Sequence, residues 1–235
     1  MLTLYPAASR YSFDRGWLRG SHSFSFAEYD DPTNTEFGPI RVFNDDIIAP
    51  GRGFGAHPHS DMEIVSLVLS GQLRHEDNLG NIAVTSFGEI QRMSAGTGVV
   101  HTEHNGSDSE DVSLLQMWFM PSSKGLKASY ETTRFNPDHM INALLPVVAQ
   151  QGSAHVASIQ QDMTIYVSKL ESGKRISFSQ AEGRKIYIFV VEGQLTVNED
   201  SVLQDRDSAR ITDMQQIELG ADSSASAFFV LIDLP

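Results

Sequence analysis

Val68-Leu69-Ser70-Gly71-Gln72-Leu73 returns 122 residues later, from Gly71 to Gly193, as Val190-Val191-Glu192-Gly193-Gln194-Leu195. Each copy reads as an apolar strand, a turn at the glycine and a second strand. A shared Gly-Gln-Leu alone is weak, but the apolar context matches on both sides, so duplication of one β unit is the better explanation. Working outward, the chain is a series of short apolar runs, such as 64–69, 186–191 and 227–231, rich in β-branched and aromatic residues. Turn signals including Leu79-Gly80-Asn81 and Glu192-Gly193 separate them. The runs are too short for buried helices, and many short strands at this spacing read as sandwiches or barrels. The expected fold is therefore all-β, with two tandem jelly-roll-like barrels of about 100 residues each, joined by a short connector.

The segment 121–161 reads as that connector. It opens Pro121-Ser122-Ser123-Lys124-Gly125, contains Asn136-Pro137-Asp138 and ends near the polar Gln150-Gln151-Gly152-Ser153. A short helix is expected at 140–150, although Pro146 argues against it. The domain division drawn from this is 1–134 and 135–235.

A chain of 235 residues can bury a core in each of two small domains. Its net charge of −13 would repel phosphate backbones, which excludes direct nucleic-acid binding as an expectation. It has no cysteine, so disulfides are absent and any metal site is left to His, Asp and Glu. Met1-Leu2-Thr3-Leu4-Tyr5-Pro6 lacks the basic and apolar regions of a signal peptide, and no apolar run is long enough to span a membrane. A cytoplasmic location is the expectation.

The chemistry concentrates in two stretches. In the first, Gly51-Arg52-Gly53-Phe54-Gly55-Ala56-His57-Pro58-His59-Ser60-Asp61-Met62-Glu63, strand alternation puts His57 and His59 on one face, with Pro58 suited to an edge. In the second, Ser94-Ala95-Gly96-Thr97-Gly98-Val99-Val100-His101-Thr102-Glu103-His104-Asn105, His101 and Glu103 share a face. Two such strands facing across a barrel would gather three imidazoles and a carboxylate, a set suited to Fe(II), Ni(II), Mn(II), Co(II) or Zn(II) with positions left open. One His-x-His is more often structural than not. A His-x-His and a His-x-Glu, each following a Gly-rich turn, rarely coincide by accident. Glu63 shares strand parity with His57 and His59, so parity alone leaves it in play as a ligand. An open redox-capable metal in an apolar barrel mouth suits a planar enol or phenol together with O2.

These stretches resemble the two motifs of the cupin superfamily. The first matches from Gly51 through His57, His59 and Glu63, with Gly71 one residue late; the second keeps Gly88, Gly96, His101 and Asn105 but has Ser94 for the usual proline and two extra residues before the histidine. That variant second motif is similar to the pirin family and its bacterial members. So are His22-Ser23-Phe24-Ser25-Phe26, Arg41-Val42-Phe43-Asn44-Asp45-Asp46, and Phe54 through Glu63. The likeness is strongest over 16–120. It implies a bicupin whose N-terminal barrel holds one divalent metal, Fe(II) first among the candidates, on His57, His59, His101 and Glu103, with Glu63 outside the set. It further implies quercetin 2,3-dioxygenase activity on a flavonol-like aromatic enol and O2, with Glu103 as general base. The alternative it implies is a metal-dependent regulator that binds a protein partner without turnover; a non-oxidative metal enzyme is the third reading. A monomer is expected.

The 122-residue offset carries His57 and His59 onto Ser179 and Ala181, so the second barrel is expected to lack the metal. His75 and His155, in polar turns, and His139, in the connector, read as solvated. His104 faces away from His101 if the strand continues. His22 reads either as packing or as part of the pocket. Asn44, Asp45 and Asp46 read as a turn, with the pocket rim as the other reading. Phe54, Met62 and Met93 suit an apolar wall or plain core.

Overall fold

A computed structural model describes residues 1–235. Apart from two short 3-10 turns, the regular structure is strand, as expected. The chain packs as two units: residues 11–135 with 150–161, and residues 1–10 with 136–149 and 162–235. A single cut at 134/135 leaves two segments on the far side from their units. Leu2–Tyr5 is in the second unit because it pairs with Ser208–Ile211. The segment 150–161 is in the first, where Ser158 Oγ donates to Glu131 at 2.8 Å. Both attachments are long-range pairings that local sequence cannot display.

In the first unit the large sheet runs Ser129–Arg134, Glu89–Ser94, Glu63–Ser70, Val112–Phe119, Ile40–Ile48, Leu18–His22, Tyr11–Asp14, all antiparallel. The smaller sheet runs Gly53–His59, Val99–Asn105, Leu73–Asp77, Ile82–Thr85. Inward side chains such as Ile48, Val68, Leu73, Val112 and Leu114 form one apolar end of its interior. Ile64, Met93 and Val99 form another cluster, with Met62 and Trp118 packed against it.

The second unit repeats the plan. Ser208–Ile211, Lys185–Gly193, Ala227–Leu234 and Thr164–Leu170 are successive neighbours in its larger sheet, and Arg175–Ser179, Gln216–Ala221, Leu195–Val197, Ser201–Leu203 form the smaller. The repeat seen in sequence is thus a repeat of position. Glu63–Ser70 and Lys185–Gly193 are inner strands of their large sheets, each turning at a glycine into a strand of the small sheet. Gly71 (φ 76°) and Gly193 (φ 86°) both sit in the left-handed region. A Cβ would drive into the Asp111 carbonyl oxygen at Gly71 and into that of Ser226 at Gly193. Only glycine suits either turn.

The interior of the second unit is filled by residues such as Ile186, Ile188, Leu195, Leu219, Phe229 and Leu231. Ser179 and Ala181, the counterparts of His57 and His59, are exposed.

The helix expected at 140–150 is replaced by a 3-10 turn, Pro137–Met140, and the strand Leu145–Ala149. Val147 and Val148 are fully buried, and the strand pairs with Thr164–Leu170, its register shifting between Pro146 and Val148. β-Branched residues and a proline that cannot continue a helix favour that outcome.

Candidate metal centre

The His-x-His strand Gly53–His59 lies at the edge of the small sheet, where exposed Pro58 costs no inner ladder bond. Its neighbour Val99–Asn105 sets His101 opposite His57. The register then slips, so that Glu103 opposes Phe54. This bulge adds a residue to the glycine-rich strand and lets Phe54 join His57 in lining the cavity despite its opposite parity.

His57, His59 and His101 come together as expected. Each offers a nitrogen, and the three lie within 4.8 Å of one another. Ring centroids are 4.4 Å apart for His57 and His101, 4.9 Å for His57 and His59, and 4.9 Å for His59 and His101. His57 Nδ1 donates to the Gly55 carbonyl oxygen at 2.8 Å, which leaves its Nε2 with the lone pair. Nε2 of His59 and Nε2 of His101 are buried and have no hydrogen-bond partner. Such atoms are costly to bury uncompensated, and nitrogen lone pairs pointing into one space fit a divalent transition metal. Burial, with the neighbouring His57 second, holds the His59 imidazole down to about 4. Burial, then His57, His59 and His75, takes His101 to about 3 against the opposing pull of Asp77. At neutral pH both rings are therefore in the uncharged form that binds metal.

Glu103 is buried beside them, 3% exposed, and lines the same cavity as His57. Its carboxylate lies within 4.8 Å of ring nitrogens of His101 and His75, forming a second cluster joined to the first through His101. Burial pushes it up to about 7, against hydrogen bonds from Gln91, Gln116 and Ser66. Glu63, left open by parity, belongs to neither cluster. It is 1% exposed and accepts from Ser94 Oγ at 2.8 Å and from the Gln160 amide at 3.1 Å.

The cavity beside the imidazoles measures about 410 Å3 and has aromatic walls from Trp17, Phe26, Phe54 and Trp118. Trp118 meets His59 edge-on at 4.7 Å. Asn44, Asp46 and Gln116 give it polar points. Asn44-Asp45-Asp46 is thus not a turn but the middle of strand Ile40–Ile48, with Asn44 and Asp46 facing in. His22 does not line the cavity; it is buried against Tyr11, Phe13 and Phe26. Met62 and Met93 pack around Ile64 and Val99, and only Phe54 of the three expected wall residues reaches the cavity.

His75 also corrects its reading as a solvated turn residue. It is fully buried in strand Leu73–Asp77, directly opposite Glu103, with its ring stacked on Tyr130 at 4.3 Å. Alternation from buried Leu73 through His75 to Asp77 was the available signal. His139 and His155 are exposed, as expected, and His104 is partly exposed.

Across the large sheet, register pairs Gln91 with Ser66, Ser66 with Gln116, Gln116 with Asn44, and Asn44 with His22. This is one polar row on the inner face. Gln91 and Gln116 hold the Glu103 carboxylate, Ser66 Oγ donates to Gln116 Oε1 at 2.7 Å, and Tyr130 donates to Gln91 Oε1 at 3.1 Å.

A family model described as pirin matches residues 6–119, and one described as the quercetinase C-terminal cupin domain matches 146–234. The chain is 40% identical to an Escherichia coli (strain K12) quercetin 2,3-dioxygenase, covering 100% of this chain and 99% of that one. It belongs to the pirin family. A pirin-like protein of Caulobacter vibrioides is 37% identical over 94% of both chains. Among solved structures, the bacterial pirin YhhW of Escherichia coli in complex with nickel(II) superposes with a TM-score of 0.93 and 38% identity, covering 100% of this chain and 99% of that one. A divalent-metal centre in this pirin is consistent with that neighbour and with its own imidazole cluster. No helix is long and apolar enough to cross a membrane.

Proposed function

We propose that this pirin is a metal-dependent dioxygenase that opens flavonols between C2 and C3, holding one divalent ion on His57, His59, His101 and Glu103. The observation that carries the reading is the cluster of three imidazoles, of which His59 and His101 are uncharged at neutral pH and His57 lines an aromatic cavity that also contains a carboxyl group poised near neutrality. The relatives carrying the quercetin 2,3-dioxygenase name support the substrate class.

When bound, the metal supplies Lewis acidity toward the substrate's 3-hydroxyl oxygen and, for a redox-capable ion, electron exchange with O2. The remaining work belongs to the protein. Trp17, Phe26, Phe54 and Trp118 sandwich a planar ring system and keep water from it. Glu103, through a carboxylate oxygen not engaged by the ion, takes the 3-hydroxyl proton; in the metal-free protein burial pushes this carboxyl up to about 7. Gln91 and Gln116 keep that carboxylate aimed while it carries the proton. The enolate so formed is the electron-rich partner for O2. One O2 is consumed: the C2–C3 and C3–C4 bonds break, the two oxygen atoms end on C2 and C4 of the depside, and C3 leaves with its own oxygen as carbon monoxide.

The test is O2 uptake with quercetin on protein stripped and reloaded separately with Fe(II), Ni(II), Mn(II) and Zn(II). Uptake with a redox-capable ion, lost in His57→Ala, is expected. Glu103→Gln should abolish turnover while keeping part of the metal. No uptake with any ion at confirmed occupancy would instead point to a regulatory or non-oxidative role.

A further inference from the structure

His75 and Asp77 are buried behind the imidazole cluster, and the reaction as proposed uses neither. His101 Nδ1 lies 3.3 Å from His75 Nδ1, and His75 Nε2 lies 3.1 Å from Asp77 Oδ2. Both the His75 and Asp77 side chains are 0% exposed. We propose that they form a relay, His101 Nδ1–H to His75 Nδ1 and His75 Nε2–H to the Asp77 carboxylate, that fixes His101 as an Nε2 ligand and passes carboxylate charge toward the metal. The proposal rests on His101 being a metal ligand.

Each proton in the relay is assigned by its neighbour. Asp77 accepts the Leu79 amide at 2.9 Å, the Asn81 amide at 3.0 Å and Asn81 Nδ2 at 2.9 Å, so its carboxylate is an acceptor on every side. His75 Nε2 must then donate to it. A neutral imidazole has one donor and one acceptor nitrogen, so His75 Nδ1 accepts. His101 Nδ1 therefore donates, and the lone pair of His101 falls on Nε2. That is the atom buried without a partner, while Nδ1 is the nitrogen that meets His75. Stacking of Tyr130 on His75 at 18° fixes the plane of the middle ring. A carboxylate behind a ligating imidazole sets its tautomer and raises its donor strength.

The competing assignment makes His75 a ligand itself, with His101 Nδ1 and Glu103. It would leave His101 Nε2 as a buried N–H with nothing to receive it. The two assignments predict different behaviour for glutamine at position 75. Gln Oε1 can accept from His101 while its amide donates to Asp77, whereas leucine can do neither.

The experiment titrates metal-free protein with Ni(II) against a competing chelator. It also measures the Fe(III)/Fe(II) midpoint potential of the iron-loaded form, for wild type, His75→Leu, His75→Gln, Asp77→Asn and His57→Ala. Circular dichroism of the metal-free variants establishes folding. His57→Ala should lose binding. His75→Leu should weaken Ni(II) about 10- to 100-fold, and His75→Gln should return to within a few-fold of wild type. Asp77→Asn keeps the side chain's shape and removes its charge, so the potential should rise. If His57→Ala loses metal while His75→Leu and Asp77→Asn match wild type in affinity and potential, the relay is wrong. If both His75 variants lose metal as fully as His57→Ala, His75 is a ligand and the relay is again wrong. Wild-type binding by His57→Ala would instead overturn the three-histidine site itself. Should His75→Leu fail to fold, the glutamine and asparagine variants decide.

Discussion

Gln116 Nε2 donates to Glu103 Oε2 across 2.6 Å, and Gln91 Nε2 donates to the other oxygen across 2.8 Å. Two amide donors favour the charged carboxylate, while complete burial opposes it more strongly. The balance leaves Glu103 at about 7 instead of the ordinary 4.5. A carboxyl group tuned in this way can accept a proton at neutral pH and give it up again.

The same balance makes the metal-free fold sensitive to pH. Between 4.5 and about 7 the folded protein keeps a proton on Glu103 that the unfolded chain has released, so raising the pH through that window destabilises the fold. The effect of the full shift is about 3 kcal/mol. His59 and His101, depressed to about 4 and about 3, act in the opposite direction: their contribution is complete above 6.5 and is lost as pH falls. The difference between Glu103→Gln and wild type cancels the histidines. In urea denaturation of metal-free protein, the variant should gain on wild type by about 2–3 kcal/mol from pH 5 to pH 8. A difference independent of pH would mean that Glu103 is ionised throughout.

Asn44 is 3% exposed, lines the cavity and has no hydrogen-bond partner for its side-chain oxygen. An unpaired amide oxygen on a cavity-lining residue suits a phenolic hydroxyl of the substrate's pendant ring. Asn44→Leu should raise KM for quercetin about 5- to 20-fold, the value of one or two hydrogen bonds, with kcat little changed. A flavonol without hydroxyls on its pendant ring should show no such rise. Equal effects on both substrates would remove Asn44 from recognition.

The sequence exposes the parts of the site that obey local rules. Strand alternation pairs His57 with His59 and His101 with Glu103, and three of the four meet as that parity requires. The glycines of the repeat are readable because their turn conformation is local. What sequence hides is register. Arg74-His75-Glu76-Asp77 has the composition of a polar turn, and its burial comes from pairing His75 with Glu103 and Asp77 with His101 across the sheet. Asn44-Asp45-Asp46 looks like a turn for the same reason, and becomes a strand because Gln116 and His22 flank Asn44. Phe54 joins His57 only because of a bulge that no alternation rule anticipates.

The duplicated glycine turn gives a stability contrast. Gly183 and Gly193 have φ of 85° and 86°, but a Cβ at Gly183 meets nothing, whereas one at Gly193 strikes the Ser226 carbonyl oxygen. Gly183→Ala should cost about 1–2 kcal/mol from backbone conformation alone. Gly193→Ala adds displacement of a neighbouring backbone and should cost at least about 2 kcal/mol more. Chemical denaturation of both variants measures the contrast, and equal losses would mean the turn yields without resistance.

Metal should stabilise the protein through the same nitrogen atoms. A ligand that binds only the folded state adds about 3 kcal/mol when present at 100 times its dissociation constant. Ni(II) at that excess should raise the unfolding free energy of metal-free wild type by that amount, and a chelator should remove the gain. His101→Ala deletes the imidazole shared by both clusters and should abolish the response. His139→Ala removes an exposed ring and should leave it intact. Nickel that stabilised both variants equally would be acting on surface carboxylates of a chain with net charge −13. The histidine dependence is therefore what separates a built site from general cation screening.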